Sequence, residues 1–206
     1  MTTLSFSTNL QLPANFTSDQ NYQFEIRAAQ IEDVPGLTEI LADSFHSQEG
    51  LLGWAYPFLK LGIYEDLRNR LRTTTQHHIC LIAADCTAKL AMKDSKNSDR
   101  LAAIVELSLR SKNPFTSERV LYISNLAVCR NYRRHGVAQE LLLKCEQIAL
   151  SWGFQDLYLH VLENNYQAHQ LYRKLGYQRH QVDFSWGTWL LGRPRQILLH
   201  KNLAAK

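Results

Sequence analysis

The feature that most constrains the fold is a segment in which a strand pattern passes through a basic, glycine-containing turn into a helical pattern. The strand pattern ends at Leu126-Ala-Val128, and the turn reads Arg133-Arg-His-Gly-Val-Ala138, which has the form R-x-x-G-x-A. The first N–H groups of a helix have no partner within the helix, and with the helix dipole they bind anions. Gly136 and Ala138 leave room for a phosphate to reach the backbone. The segment therefore predicts an anion site at a helix N-terminus.

A second interpretation of this turn is a basic loop whose glycine only shapes the chain. The segment lacks the G-x-G-x-x-G of dinucleotide folds and the G-x-x-x-x-G-K-[ST] of P-loops. Arg130, Arg133 and Arg134 place positive charge around the turn, which favours an anionic ligand. The turn alone leaves both interpretations open.

The remaining patterns predict a mixed α/β chain built on a central sheet. Asp33 is expected to cap the first helix, with Pro35 in its first turn. The apolar residues after Gly136 recur at i, i+3/i+4 and i+7, which is typical of an amphipathic helix. Helices are expected over 33–45, 64–73, 137–152 and 167–175. Strands are expected over Tyr22–Arg27, His78–Ala84, Ala102–Leu109, Val120–Val128, Leu157–Leu162, Tyr177–Trp186 and Gln196–Asn202.

The domain organisation follows from length and composition. The 206 residues suit one domain with a core of its own. Residues 1–21 are rich in Ser, Thr, Asn and Gln without a sustained period, which predicts a flexible N-terminal arm. We expect residues 22–206 to form a single domain.

Composition argues against several classes of protein. The formal net charge is +4 without a Lys/Arg block, so we expect no nucleic-acid partner. No apolar run approaches the roughly 18–20 residues of a membrane span, so no membrane association is expected. The four cysteines form no C-x-x-C pair, which predicts no metal site and a reducing compartment. Because no Lys or Arg precedes Arg27, no targeting segment is visible, and a cytoplasmic location is expected.

A second motif follows the turn along the chain. Asn165-Tyr-Gln-Ala-His-Gln-Leu-Tyr-Arg-Lys-Leu-Gly-Tyr177 has the form N-x-x-A-x-x-L-Y-x-x-x-G-[FY]. In this order the two motifs resemble the signatures of the GNAT superfamily, the GCN5-related N-acetyltransferases. The resemblance covers roughly Tyr22 to Leu203, and it departs at Ala138, where many members have glycine.

The resemblance implies a GNAT fold of the α/β (α+β) class, with a splayed, mixed, mostly antiparallel sheet of six to seven strands and four flanking helices. It implies acetyl-CoA as co-substrate, and no metal, with the cofactor between the strands at Val120–Val128 and Leu157–Leu162. The first strand would pair with the pantetheine arm, the turn would hold the pyrophosphate, and Asn165 would bond the arm. The implied cofactor-binding residues are Leu126, Ala127, Val128, Arg133, Arg134, His135, Gly136, Val137, Ala138, Gln139, Asn165 and Tyr172.

Acetyl transfer to an amine needs a base for the amine and a proton for the departing thiolate. Family members place a tyrosine at the position of Tyr172 as general acid, although a core tyrosine has the same spacing. Tyr122 and His160 resemble a pair in eukaryotic N-terminal acetyltransferases that accept Met-Leu-type termini, where the two hold a water that deprotonates the α-amine. The alternative is a structural Tyr–His hydrogen bond. Glu106 and Glu163 are further candidates for the base, each expected to be solvated or structural.

The acceptor pocket is indicated by aromatic residues. Tyr56-Pro57-Phe58 resembles an F-P-V segment that lines this pocket in the N-terminal acetyltransferases, and Trp186 and Trp189 stand where those enzymes use tyrosines. Such residues also pack local loop cores. The chain further resembles cyanobacterial and plastid-type GNATs, several of which modify both N-termini and lysines.

Three functions are therefore open. The first is acetylation of protein N-termini, with lysines as a further acceptor. The second is acetylation of a small amine, such as an arylalkylamine, polyamine, drug or amino acid. The third is a non-catalytic acyl-CoA-binding module. The chain is expected to be a monomer or a dimer.

Overall fold

A computed structural model of the chain describes residues 22–45, 56–73, 75–87, 100–111, 118–182 and 195–204. Its centre is a seven-stranded sheet in the order β1-β2-β3-β4-β5-β7-β6. The strands are β1 Phe24–Ala28, β2 His78–Asp85, β3 Arg100–Ser111, β4 Arg119–Val128, β5 Asp156–Leu162, β6 Gln178–Val182 and β7 Gln196–Asn202. The helices of the described ranges are α1 Val34–Phe45, α2 Tyr56–Arg72, α3 Val137–Ser151 and α4 Tyr166–Lys174, with 3-10 turns at Ile31–Asp33 and Arg130–Tyr132.

The sheet is splayed between its two central strands. All neighbouring strands pair antiparallel except β4 and β5, which run parallel. Both strands are fully described, and they pair only where Leu121–Ile123 meets Leu157–Leu159. Beyond this point β4 continues beside β3 and β5 continues beside β7, so a gap opens between them. This confirms the expected splayed, mixed sheet with four helices.

Each face of the sheet has its own core. The helices α3 and α4 cover one face, where Leu121, Ile123, Leu157 and Leu159 are buried. The helices α1 and α2 cover the other face, where Leu37 and Leu67 pack on Ile82 and Ile104. Because side chains alternate along a strand, residues 122, 124, 158 and 160 point to the α1/α2 face.

Glycine residues flank α3 and follow α4. Gly136, with φ of 82°, precedes α3, and Gly153, with φ of 84°, follows it. Gly176, with φ of 87°, follows α4. This left-handed backbone is strained for residues that carry a Cβ.

Two expectations about helix starts were wrong. Asp33 does not cap α1; it ends the preceding 3-10 turn, and its carboxylate binds Arg27 through two hydrogen bonds of 2.7 and 2.9 Å. The carboxylate is engaged by this ion pair with β1 and by the N–H of Gln30, which donates to Oδ2 at 2.7 Å at the start of the 3-10 turn. The second helix begins at Tyr56 rather than near Tyr64. Pro57 lies in its first turn, where helices accept proline. The aromatic residues at this end of the helix obscured the helical period in the sequence.

Within the described residues, no helix is long and apolar enough to span a membrane. The same residues contain no group of three or more His, Cys, Asp or Glu side chains that could hold a metal ion. The strand expected over Tyr177–Trp186 is described only as far as Val182, since residues 183–194 lie outside the described ranges.

Candidate active site

A β-bulge in β4 shapes the gap between the two central strands. Ile104 pairs with Ala127, whereas Glu106 pairs with Ser124, so β4 has one residue more than β3 in this interval. Asn125, within the bulge, has φ of 53°, a conformation that asparagine tolerates better than most residues. A bulge bends its strand and ends regular pairing. Over residues 124–128, no described strand pairs with the β5-facing edge of β4.

The basic turn lies at the C-terminal end of β4 and leads into α3. The first intrahelical bond runs from the N–H of Glu140 to the carbonyl of Gly136, so the N–H groups of residues 137–139 precede the helical pattern. A Cβ built on Gly136 meets no atom within 4 Å, which leaves the space before the helix open. Arg130, Arg133 and Arg134 are exposed around this opening. The turn thus has the space, the N–H groups and the charge that a phosphate requires.

Tyr122 and His160 are brought together on the α1/α2 face of the sheet. The Tyr122 hydroxyl oxygen lies 2.6 Å from Nδ1 of His160, and both side chains are partly buried. The contact is direct and leaves no room for a water between the two atoms. Which of the two atoms donates depends on the histidine tautomer. Their chemical role stays a prediction.

Arg110 of β3 is an additional residue beside this pair. Its guanidinium carbon lies 4.4 Å from the centre of the Tyr122 ring, and Nη2 donates to Oγ of Ser124 at 3.0 Å. A cation over an aromatic face is attracted by the ring quadrupole. No motif in the sequence indicated Arg110, because it stands in an ordinary strand pattern.

Tyr172 lies on α4 and belongs to the core on the α3/α4 face of the sheet. It is 7% exposed and packs edge-to-face on Tyr177, with ring centroids 5.8 Å apart. Burial, and to a smaller extent the neighbouring Tyr122 hydroxyl, raises the pKa of Tyr172 well above its usual range. The phenol is therefore protonated at neutral pH.

Asn165 has a local function that the sequence motif did not indicate. It is the N-cap of α4, and its side-chain oxygen accepts a hydrogen bond of 3.1 Å from the N–H of Ala168. The implied contact of Asn165 with the cofactor arm would then use the side-chain amide N–H.

The two alternative bases differ in environment. Glu106 is 1% exposed, and its Oε2 accepts a hydrogen bond of 2.7 Å from Arg70 of α2. This ion pair joins β3 to α2, as expected of a structural carboxylate. Glu163 is exposed at the end of β5.

The aromatic residues expected at the acceptor pocket are described only in part. Tyr56 and Pro57 lie in the first turn of α2, and the Tyr56 hydroxyl donates to Oδ1 of Asp43 on α1 at 2.8 Å. Phe58 is 70% exposed. Trp186 and Trp189 lie outside the described residues. The acceptor pocket therefore stays a prediction.

Comparison with known proteins gives a consistent result. Residues 49–177 match the acetyltransferase (GNAT) family. GCN5-related N-acetyltransferase 10, chloroplastic, from Arabidopsis thaliana is 24% identical over 179 residues, which are 84% of this chain and 69% of that protein. Three other Arabidopsis relatives named as chloroplastic match 33–47% of this chain and 24–35% of their own lengths.

Solved structures share the fold. The PaiA N-acetyltransferase from Thermoplasma acidophilum, in complex with coenzyme A, matches with a TM-score of 0.63 and 19% identity over 87% of this chain and 99% of that one. Arabidopsis thaliana NAA60, in complex with a bisubstrate analogue, matches with a TM-score of 0.62 and 17% identity over 89% of this chain and 100% of that one.

The expected cytoplasmic location is wrong by this comparison, because the four Arabidopsis relatives are all named as chloroplastic proteins. The expectation rested on free thiols and on an N-terminal segment without Lys or Arg. Free thiols indicate a reducing environment, which does not by itself distinguish one reducing compartment from another.

Proposed function

The chain belongs to the acetyltransferase (GNAT) family and is an acetyl-CoA-dependent N-acetyltransferase, and from this we propose that its acceptor is a protein N-terminal α-amine, with lysine ε-amines as a further acceptor class. The observation that carries this proposal is the Tyr122–His160 pair beside the gap between β4 and β5. The pair provides proton-accepting groups next to the place where the sheet opens.

Bound acetyl-CoA supplies the thioester whose acetyl group is transferred. We assign its phosphates to the turn before α3, where Gly136 leaves space and three arginines supply charge. The unpaired edge of β4 over residues 124–128 offers backbone groups to the pantetheine arm, as a neighbouring strand would. A backbone N–H near Val128 is suited to stabilise negative charge on the carbonyl oxygen during transfer.

The Tyr122–His160 pair takes the proton of the acceptor. An α-amine is largely protonated at pH 7, and it becomes a nucleophile only after a base removes a proton. His160 or a water held by the pair accepts this proton while the new N–C bond forms. Arg110, over the ring of Tyr122, fixes the orientation of the phenol.

Tyr172 serves the leaving group. Its hydroxyl, which is protonated at neutral pH, donates to the sulfur as the C–S bond breaks. Tyr172 belongs to the core on the α3/α4 face, and its hydroxyl still interacts electrostatically with the Tyr122 hydroxyl of the pair. The proposed acid and base are thus different groups.

The α-amine is favoured over the lysine ε-amine by proton affinity. Reference pKa values are about 7.7–8.0 for an α-amino group and about 10.4 for lysine. At neutral pH the neutral fraction of the α-amine is therefore larger by a few hundredfold. A histidine base removes the proton of an α-amine more readily than that of lysine, because the α-amine holds its proton less tightly.

The test offers acetyl-CoA with three matched sets of acceptors. The first set comprises peptides with a free N-terminus, varied at the first two residues and without lysine. The second has the same peptides with a blocked N-terminus and one internal lysine, and the third comprises polyamines and arylalkylamines. Thiol release gives the rate, and mass spectrometry locates the acetyl group.

We expect kcat/KM for free N-termini to exceed that for internal lysine by at least about tenfold, in line with the pKa difference. Turnover confined to small amines would contradict the proposal.

A further inference from the structure

Tyr132 and Asp85 form a buried contact beneath the phosphate-binding turn. Tyr132 is the last residue of the 3-10 turn between β4 and Arg133, and it is 7% exposed. Its hydroxyl donates a hydrogen bond of 3.0 Å to Oδ2 of Asp85, the last residue of β2, which is 4% exposed. The other oxygen, Oδ1, accepts 2.9 Å from the N–H of Thr87. Neither residue belongs to the proton-transfer groups.

The charge distribution supports a permanent phenol-to-carboxylate bond. Burial opposes the negative charge of Asp85, but the bonds from Thr87 and Tyr132 outweigh it and lower the pKa of this carboxyl. Burial, with the hydrogen bond to Asp85, raises the pKa of Tyr132 to about 12. At neutral pH the phenol is therefore a donor and the carboxylate an acceptor, which is a strong form of hydrogen bond.

The turn above this contact is conformationally strained. Arg134 has φ of 71° and Gly136 has φ of 82°, so two left-handed residues lie within three positions. A non-glycine residue in this region costs about 1–2 kcal/mol and persists only where its surroundings hold it.

The turn is connected to the Tyr132–Asp85 bond by contacts on both sides of Arg134. The N–H of Arg133, directly after Tyr132, donates to the carbonyl of Arg130 at 3.3 Å, and Nε of Arg133 donates to the carbonyl of Val128 at 3.1 Å. The ring of Tyr22 packs edge-to-face on Tyr132 and on His135, at 5.1 and 4.8 Å between centroids. The position of Tyr132 is thus transmitted to the residues that face the phosphate site.

We propose that Asp85, acting through the hydroxyl of Tyr132, positions the turn for the phosphates of acetyl-CoA. This inference rests on the proposed function of the turn as the phosphate site. Asp85 and Tyr132 are positioning residues, since neither touches the reacting atoms. Loss of the bond lets the strained turn relax, which weakens cofactor binding and leaves the transfer step unchanged.

The test compares Tyr132→Phe with Thr38→Val, which removes another buried hydroxyl, one that donates to the carbonyl of Val34 on α1. For Tyr132→Phe we expect the Kd for acetyl-CoA, by calorimetry, to rise about tenfold, as one lost bond to a charged group gives. The kcat at saturation should stay within about twofold, and Thr38→Val should keep the wild-type Kd. With S-acetylpantetheine, which lacks the phosphates, kcat/KM should equal that of wild type. Asp85→Asn keeps a hydrogen-bonding amide beside the phenol and should lose less affinity than Asp85→Ala. This pair of variants provides the test if Tyr132→Phe does not fold.

The outcomes separate this inference from the function of the turn. An unchanged Kd in Tyr132→Phe, beside a large loss in Gly136→Asp, overturns the positioning role and keeps the phosphate site. An equal loss with acetyl-CoA and S-acetylpantetheine also overturns it, because the effect is then not specific to the phosphates. An unchanged Kd in a folded Gly136→Asp protein overturns both.

Discussion

The hydroxyl of Tyr122 and Nδ1 of His160 are 2.6 Å apart, on two parallel strands that separate immediately beyond them. The strands pair at Ile123 and Leu159, so His160 is the first residue of β5 past the pairing. The hydrogen bond therefore stands at the apex of the gap. At this position the pair would face the acceptor amine and the thioester group of a cofactor bound in the gap.

Because the two side chains form one unit, their losses should not add. We expect Tyr122→Phe and His160→Ala each to lower kcat/KM, and the double variant to be little worse than the more impaired single variant. The measurement is a double-mutant cycle on the best peptide found. The acidic limb of the rate profile should also change in His160→Ala, because a histidine base that is already protonated cannot accept the proton of the amine. Additive losses with an unaltered acidic limb would leave a structural Tyr–His pair.

Gly136→Asp should abolish tight binding of acetyl-CoA, since it puts a carboxylate where the phosphate approaches. Gly153→Asp is a matched control: its φ of 84° is close to the 82° of Gly136, and a Cβ at either position meets nothing within 4 Å. Both variants should lose a similar stability, about 1 kcal/mol, from left-handed strain. Calorimetry should show weakened binding in Gly136→Asp alone. Equal affinity in the two folded variants would remove the phosphate role.

Tyr172→Phe should lower kcat by about 10²–10⁴-fold, the usual contribution of a general acid. Tyr177→Phe provides the control, because the two buried rings pack on each other and Tyr177 belongs to no proposed proton path. The measurement is kcat at saturating acetyl-CoA and peptide, with melting temperatures alongside. A Tyr172→Phe enzyme within about twofold of wild type sinks the assignment.

Glu106→Gln should affect stability rather than catalysis. The change leaves Arg70 with a neutral partner, and we expect the free energy of unfolding to fall by about 1–3 kcal/mol. Asp66→Asn removes the other, more exposed carboxylate of Arg70 and should cost at most about 1 kcal/mol. Denaturant unfolding gives these values, and kcat should stay within about threefold. A hundredfold fall in kcat would instead make Glu106 the base.

Asp85 should make the free energy of unfolding depend on pH in the acidic range. Its pKa is lower in the folded chain than the reference value of about 3.9, so ionised Asp85 stabilises the fold above that pH. This contribution is lost as the pH falls below about 4, through the folded-state pKa. The stability difference between wild type and Asp85→Asn should therefore shrink between pH 6 and pH 3, by denaturant unfolding. A difference that stays constant over this range is the contrary result.

Sequence patterns located the elements whose limits are set locally. Gly136 and Gly153 enclose α3, and the strand expected over Gln196–Asn202 has the observed limits. These features depend on side-chain period and on backbone conformations that glycine adopts at low cost. Where a local signal was absent, as at the start of α2 near Tyr56, the prediction was eight residues short.

The sequence by itself determined the order of strands and helices and the place of the basic turn before α3, because each depends on neighbours a few positions apart. Only the tertiary structure decided that Asp33 binds Arg27 instead of capping α1, and that Tyr122 meets His160 directly. It alone revealed the bonds from Arg70 to Glu106 and from Tyr132 to Asp85, whose partners are 36 and 47 positions apart. Such contacts arise when packing brings distant segments together, and no local period or propensity encodes them.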